Sequence, residues 1–358
     1  MFAEYGEPEL ADLNSRISTG WGGATSPISV SELQELEFEE AVARIAALDP
    51  ERDTGYDAVV RAFGAYVGSN QAAFSSMAIS LVGRPARLVR EFVSQMAAAL
   101  RVSIDIDVGP VFELCRWALE QEDDKGTGPE NRFVHDLDWD WRWTRDEVAR
   151  FAQEFVKARL EGVPRYPLAP FREPVWHLVS WLARVPADES ALIEEAGDPR
   201  CHDYLTEGMN STRGRGVEAV LEYARWVATH SQEGSVGDGQ VPGGIETMPE
   251  VRSLLEWLLE AENRSPGTDA LIGSRLGLLY WIDREWLAEN TPRLFTPSDE
   301  LKEPTSGEGW ALWNAFLIWV RPHIAFYRLF QDQYSVAIEH SRMLDGKTAG
   351  DRDPMSHL

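Results

Sequence analysis

Pro249-Glu250-Val251-Arg252-Ser253-Leu254-Leu255-Glu256-Trp257-Leu258 sets apolar side chains at Val251, Leu254, Leu255 and Leu258, three and four residues apart. That spacing returns to one side of an α-helix at every turn, whereas a half-buried strand needs strict alternation. The same rhythm recurs outward from this stretch. Phe112, Cys115 and Leu119, with Leu114 and Ala118, predict a helix over 110–121. Thr144 followed by Glu147 has the form of a capping box and opens a helix with Val148, Phe151, Phe155 and Ala158 on one side. Ser29 with Glu32, and Ser31 with Gln34, offer two such registers for a helix over 30–48. Further helices are expected over 55–67, 70–82, 85–101, 175–185, 215–230, 249–262 and 269–290, and from about 307 to 343 with a kink at Pro322. Gly83 stops one of them, and Pro85 suits the first turn of the next. Only 103–108 alternates polar and apolar residues, as a short extended segment would.

The fold class is therefore all-α. One-sided helices with short connections suit either an irregular α-solenoid of HEAT-like stacked helix pairs or an orthogonal helical bundle. No sequence repeat decides between them. Residues 1–25 form an irregular lead-in with Gly20, Gly22 and Gly23 around Trp21. An N-terminal helical subdomain over 26–161 and a C-terminal one over 175–345 flank a connection at 162–174. Pro164, Pro167, Pro170 and Pro174 make that connection the expected interior boundary. A glycine-rich loop over 234–244 and a polar, frayed tail over 346–358 complete the expected organisation.

Composition narrows the function. The chain has 358 residues, 44% of them hydrophobic, enough for a substantial core. No apolar run approaches the roughly 20 residues that span a bilayer, and the N-terminus carries Glu4, Glu7 and Glu9 instead of a signal peptide, so the expected location is the cytoplasm. With 59 Asp and Glu against 34 Lys and Arg, the net charge of −25 opposes direct binding to nucleic acid or to an anionic membrane. Arg84, Arg87 and Arg90 read as one solvated helix face, and Arg213 with Arg215 is too small a basic cluster to reverse that field. Cys115 and Cys201 lack metal or disulfide spacing; Cys115 is expected in a core.

Four constellations come near to chemistry. Asp136, Asp138, Asp140 and Glu147 stand at positions one, three, five and twelve of a calcium-binding loop. Trp141 occupies the sixth position, where the sharp turn demands glycine, and Glu147 is accounted for by the capping box. Gly346-Lys347-Thr348 copies the end of a phosphate-binding loop, but Ser341 stands in place of its first glycine. Asn210-Ser211-Thr212-Arg213-Gly214-Arg215-Gly216 precedes an amphipathic helix from Val217. Its amides could hold an anion, with Asn210, Arg213 and Arg215 as an interaction site; the structural alternative has Asn210 or Ser211 capping the helix and Arg213 bracing a neighbouring helix end. Trp139, Trp141 and Trp143 alternate, and Trp310, Trp313 and Trp319 sit on helical sequence. Core anchoring is the expected role of most of them, with any exposed one marking a binding surface. The seven histidines are scattered, and no nucleophile motif accompanies them.

In order along the chain, Ser26-Pro27-Ile28-Ser29 with Glu32-Leu33, Leu137-Asp138-Trp139-Asp140-Trp141, and Met209-Asn210-Ser211-Thr212-Arg213-Gly214 with Ala219 and Tyr223 form a pattern. It continues in Pro249-Glu250-Val251-Arg252, Ser274-Arg275-Leu276-Gly277, Asp283-Arg284-Glu285-Trp286 and the stretch from Trp313 to Tyr334. This resembles the helical C-terminal region of very large bacterial proteins, many associated with anti-phage defence. Those proteins carry an N-terminal P-loop NTPase or sirtuin-like module, which this sequence lacks. The resemblance implies a subunit, a split product or a remnant of such a system. The expectation is a non-enzymatic interaction or regulatory module without a cofactor, whose partner is another protein such as a nucleotide-dependent effector subunit. The alternative is an enzyme or metal-binding protein with a site near Asp136, Asp138 and Asp140.

Overall fold

The computed structural model describes residues 26–48, 55–122, 141–186, 203–232, 241–295, 308–335 and 338. The fold is all-α. Among the described residues the strand material is one short antiparallel hairpin, β1 (Arg159–Leu160) against β2 (Val163–Pro164). No helix among them is long and apolar enough to cross a membrane. The chain divides into two compact units, Met1–Ser69 and Asn70–Leu358. The proline-rich 162–174 therefore lies inside the second unit rather than between two.

The first unit contains α1 (Val30–Gln34), α2 (Phe38–Ala46) and α3 (Tyr56–Ser69). Of the two capping registers in the sequence, Ser29 with Glu32 is the one used, and both of its reciprocal hydrogen bonds are present. The expected single helix breaks after Glu35 and restarts at Phe38, whose ring packs beside Phe63 and Tyr66 of α3.

The second unit begins with α4 (Gln71–Ser75), a single turn over Ala78–Leu81, α5 (Ala86–Arg101) and α6 (Val108–Leu119). The helix expected over 70–82 thus ends already at Ser75, with a separate turn over Ala78–Leu81; Gly83 follows at φ +78°, and Pro85 stands just outside α5 as its N-cap. The alternating stretch 103–108 forms no strand; Asp107 instead caps α6, accepting from the Gly109 amide. Then come α7 (Trp141–Lys157), the hairpin, and α8 (Leu168–Ala183). Pro170 falls in the first turn of α8, where backbone N–H groups have no partner within the helix. Pro174 lies deeper and forfeits one rung, but Val175, Leu178, Val179 and Leu182 bury the face that follows, so the helix persists through it.

Next are α9 (Tyr204–Asn210), α10 (Thr212–Gln232) and α11 (Pro249–Leu258). In α11 the stripe of Val251, Leu254, Leu255 and Leu258 is the buried face, as its spacing requires. The helix expected over 269–290 is divided into α12 (Pro266–Ser274), α13 (Leu276–Ile282) and α14 (Arg284–Leu294). Asp283 causes the second break: its backbone is extended and its carboxylate caps α14 by accepting from the Trp286 amide at 2.9 Å. Finally α15 (Glu308–Trp319) and α16 (Ile324–Leu329) are separated around Pro322.

The centre of this unit is α10. Its buried residues, from Thr212 through Val217, Ala219, Val220, Leu221, Glu222, Tyr223 and Ala224 to Trp226, Val227 and Ala228, cover most of its circumference and leave Arg215, Glu218 and Arg225 half-buried along one stripe. A helix buried over so much of its circumference is largely enclosed by its neighbours. Helices α7, α8, α9, α12 and α13 all touch it. In a solenoid each helix meets its own partner and the adjacent repeat, so this enclosure is the mark of a bundle. One aromatic cluster (Phe112, Phe151, Phe155, Tyr166, Phe171) reaches α10 at Trp226, and a second joins Phe295, Trp313, Phe316, Phe326, Phe330 and Tyr334.

Enclosure depends on how closely the neighbours approach. A Cβ on Gly216 would overlap the backbone of Leu182 and Ala183 in α8, and one on Gly214 would overlap the Gly208 carbonyl of α9. Backbone cannot swing aside as a side chain can. Gly216→Ala is therefore expected to lower unfolding free energy by about 2–3 kcal/mol, read from a denaturant midpoint; an unchanged midpoint would contradict the crossing.

Candidate functional site

The stretch 210–216, read in sequence as a loop before a helix at Val217, is the end of α9 and the first turn and a half of α10. Asn210 is exposed at the end of α9. Ser211 performs the cap, its Oγ accepting from the Gly214 amide at 2.9 Å while its amide donates to the Gly208 carbonyl at 3.1 Å. Thr212 Oγ1 donates to Asp146 Oδ1 of α7 at 2.9 Å. Arg213 is buried; it donates to the Asn263 carbonyl and lies over the Trp257 ring at 5.4 Å. Burial pushes its guanidinium below the ordinary value, against the pull of Asp269. Arg215 Nε faces Asp146 Oδ2 at 3.6 Å. Asn210, Arg213 and Arg215 therefore point to three different places, and the arginines join neighbouring elements.

Of the proposed calcium loop, Asp136, Asp138 and Asp140 lie outside the described residues, as do Cys201 and Gly346-Lys347-Thr348. Glu147 is described, and it is not a capping residue, because α7 already runs from Trp141. Thr144 is correspondingly a buried residue within the helix, donating its hydroxyl to the Ala86 carbonyl at 3.1 Å. Trp141 packs edge-on to Trp117 at 5.2 Å, and Trp143 is exposed. Among the described residues no group of three or more His, Cys, Asp or Glu is placed to hold a metal ion.

Asp146 and Glu147 form instead the acidic half of a polar cluster between helices. Burial raises both carboxyls above their usual range. For Asp146 the opposing influences, largest first, are Arg215, the Thr212 hydroxyl, Arg142 and Arg150. For Glu147 they are Arg150, whose Nη1 stands 3.3 Å away, then Ser94, Arg215 and Arg90. Arg87 is buried as well, so Arg84, Arg87 and Arg90 are not the solvated face that their spacing predicts. Buried Arg264 and Asp269 pair at 2.5 Å, and Arg264 also donates to the Arg293 and Leu294 carbonyls that end α14. The Cys115 thiol is buried and free, and burial pushes its pKa up.

Two surface features bear on binding. Glu222 of α10 is buried, yet Lys157 Nζ, Arg275 Nη2 and Arg225 converge on its carboxylate, the first two at 3.8 and 3.7 Å. Where α15 meets α16, Ile318, Trp319 and Ile324 are exposed beside the exposed Arg321, Pro322 and His323. Sequence singled out Trp319 only as one of several tryptophans, and no local signal could join residues 157, 222 and 275.

Comparison with known protein families, with curated proteins and with solved structures finds no match to this chain. Fold and geometry thus define an all-α protein whose described interior charges tie helices together.

The raised carboxyls make a signed prediction. A folded-state pKa above the unfolded value means the native form holds its proton more tightly; that stability is full below the unfolded pKa and is lost as pH rises through the folded one. At neutral pH, Glu147→Gln removes the cost of a buried charge and should match or exceed the wild-type melting temperature. The advantage should close as pH falls towards 4.5, the ordinary glutamate value. A deficit at neutral pH would show that Arg150 and Arg215 outweigh desolvation.

Proposed function

We propose that this chain is a non-enzymatic interaction module that docks another protein on the ridge from Ile318 to Ile324. The observation that carries this is the exposure of Trp319, 63%, and Ile324, 59%, within one short stretch. The same helix end buries Val320, and Pro322 restricts the backbone between the two exposed groups. A fixed, exposed tryptophan with aliphatic neighbours is the composition of an interface anchor, since aromatic residues carry much of the affinity of protein contacts. Trp313, in the same helix, is by contrast fully packed among Phe295, Phe316 and Tyr334, so α15 holds one tryptophan inside and offers another.

Arg321 and His323 rim the ridge in a chain of net charge −25, and so favour a partner that brings carboxylates around an apolar pocket. The resemblance to defence-associated bacterial proteins supports a cytoplasmic, nucleotide-dependent effector subunit as that partner. The acid excess disfavours direct contact with nucleic acid or an anionic membrane. A calcium or enzymatic site near Asp140 gains no support from Glu147, which is turned into the interhelical cluster.

A photocrosslinking residue in place of Ile318 tests the ridge in cells. It should give a discrete protein adduct that disappears when Trp319→Glu is added, with the melting temperature of the purified protein unchanged. No adduct, or one indifferent to Trp319→Glu, would overturn the proposal.

A further inference from the structure

The cations around Glu222 come from separate parts of the second unit. Lys157 ends α7, Arg159 belongs to β1, Arg225 lies one turn beyond Glu222 on α10, and Arg275 stands at the junction of α12 and α13. Arg275 also meets Glu218 at 3.1 Å. Arg159 donates to the Val156 and Ala158 carbonyls at 2.9 and 3.1 Å, which holds its guanidinium at the end of α7. Lys157, Arg225 and Arg275 thus converge on the Glu222 carboxylate, with Arg159 close enough to feel the charges of Arg225 and Glu222.

The arrangement is more than Glu222 needs. One buried carboxylate is neutralised by one well-placed cation, and further cations brought to the same point repel one another. That repulsion is visible at Arg159: burial lowers its pKa, the charge of Arg225 lowers it further, and Glu222 only partly restores it. The side chains of Lys157, Arg225 and Arg275 remain 34%, 42% and 39% exposed, so the cluster opens to solvent.

We propose that Lys157, Arg159, Arg225 and Arg275 form a binding site for a dianionic phosphate group, with Glu222 as the internal strut that gathers them. Guanidinium forks match tetrahedral phosphate oxygens in pairs, and the ammonium adds a point charge. Four head groups gathered about one carboxylate fit a compact dianion better than an extended acidic chain. This site is separate from the ridge at Ile318–Ile324 and does not depend on it.

The test is a calorimetric titration of the full chain with inorganic phosphate, then with AMP and phosphoserine to identify the group's source. Saturable phosphate binding is expected, weakened about tenfold or more by Arg225→Gln or Arg275→Gln, as the loss of one charge-assisted contact implies. Glu222→Gln should tighten binding, because it removes the competing anion and leaves the cations. That opposite sign separates a ligand site from a structural ion network, in which all three substitutions would lower stability and leave phosphate affinity unaltered. Tighter binding of AMP or phosphoserine than of phosphate would support the site and name its source. Absence of saturable phosphate binding, or equal binding by wild type and all three variants, would overturn the proposal.

Discussion

The close crossing of α8 and α9 over the first turns of α10 is the constraint on which the second unit depends. Gly214 and Gly216 leave room for another backbone where any larger residue would collide with Gly208, Leu182 or Ala183. Once those helices lie against α10, most of its remaining residues are enclosed, and Tyr223 and Trp226 become two of the largest fully buried side chains. Polar groups on an enclosed helix must then find partners inside the protein. Thr212 and Arg215 find Asp146, Arg213 finds the Asn263 carbonyl and the Trp257 face, and Tyr223 donates to Glu250 at 2.8 Å. The ion pairs of this protein are consequences of that packing more than causes of it.

This explains why charged residues that resemble a site in sequence are so seldom one in space. Arg213 and Arg215 are two residues apart on a helix and so point in different directions. Glu147, the last position of the supposed calcium loop, faces Arg150 and also interacts with Ser94 and Arg90 of α5. Burial raises its carboxyl and that of Asp146, which is the cost of ionised groups held between helices. Among the described residues, two of the features left to solvent or a partner are an apolar ridge at the end of α15 and a cationic cluster around Glu222.

The all-α class was legible because most helices are packed on one side, and one-sided burial imprints a period on the sequence. Helix α11 is the clear instance, with all four stripe residues buried. The first turns of α10 were not legible for the opposite reason. Arg213-Gly214-Arg215-Gly216 reads as a loop by propensity, and only the approach of another backbone explains glycine inside a helix. Capping chemistry was legible at Ser29, where the chain enters α1 from solvent. It misled at Thr144, whose hydroxyl serves the Ala86 carbonyl of another helix. The break at Asp283 carries no glycine or proline, and its cap emerges only from the geometry of α14. Of the cationic cluster, sequence spacing reveals one pair, Glu222 with Arg225; the others are joined by tertiary folding.

Hydrogen exchange followed residue by residue is the most direct measure of whether α10 is the enclosed centre of its unit. Amides from Val217 to Ala228 should exchange only through global opening, at the slowest rate of any helix in the second unit. Helix α15, whose end carries exposed Trp319, should exchange faster. Exchange of α10 at rates equal to or above those of α15 would contradict the central place given to that helix.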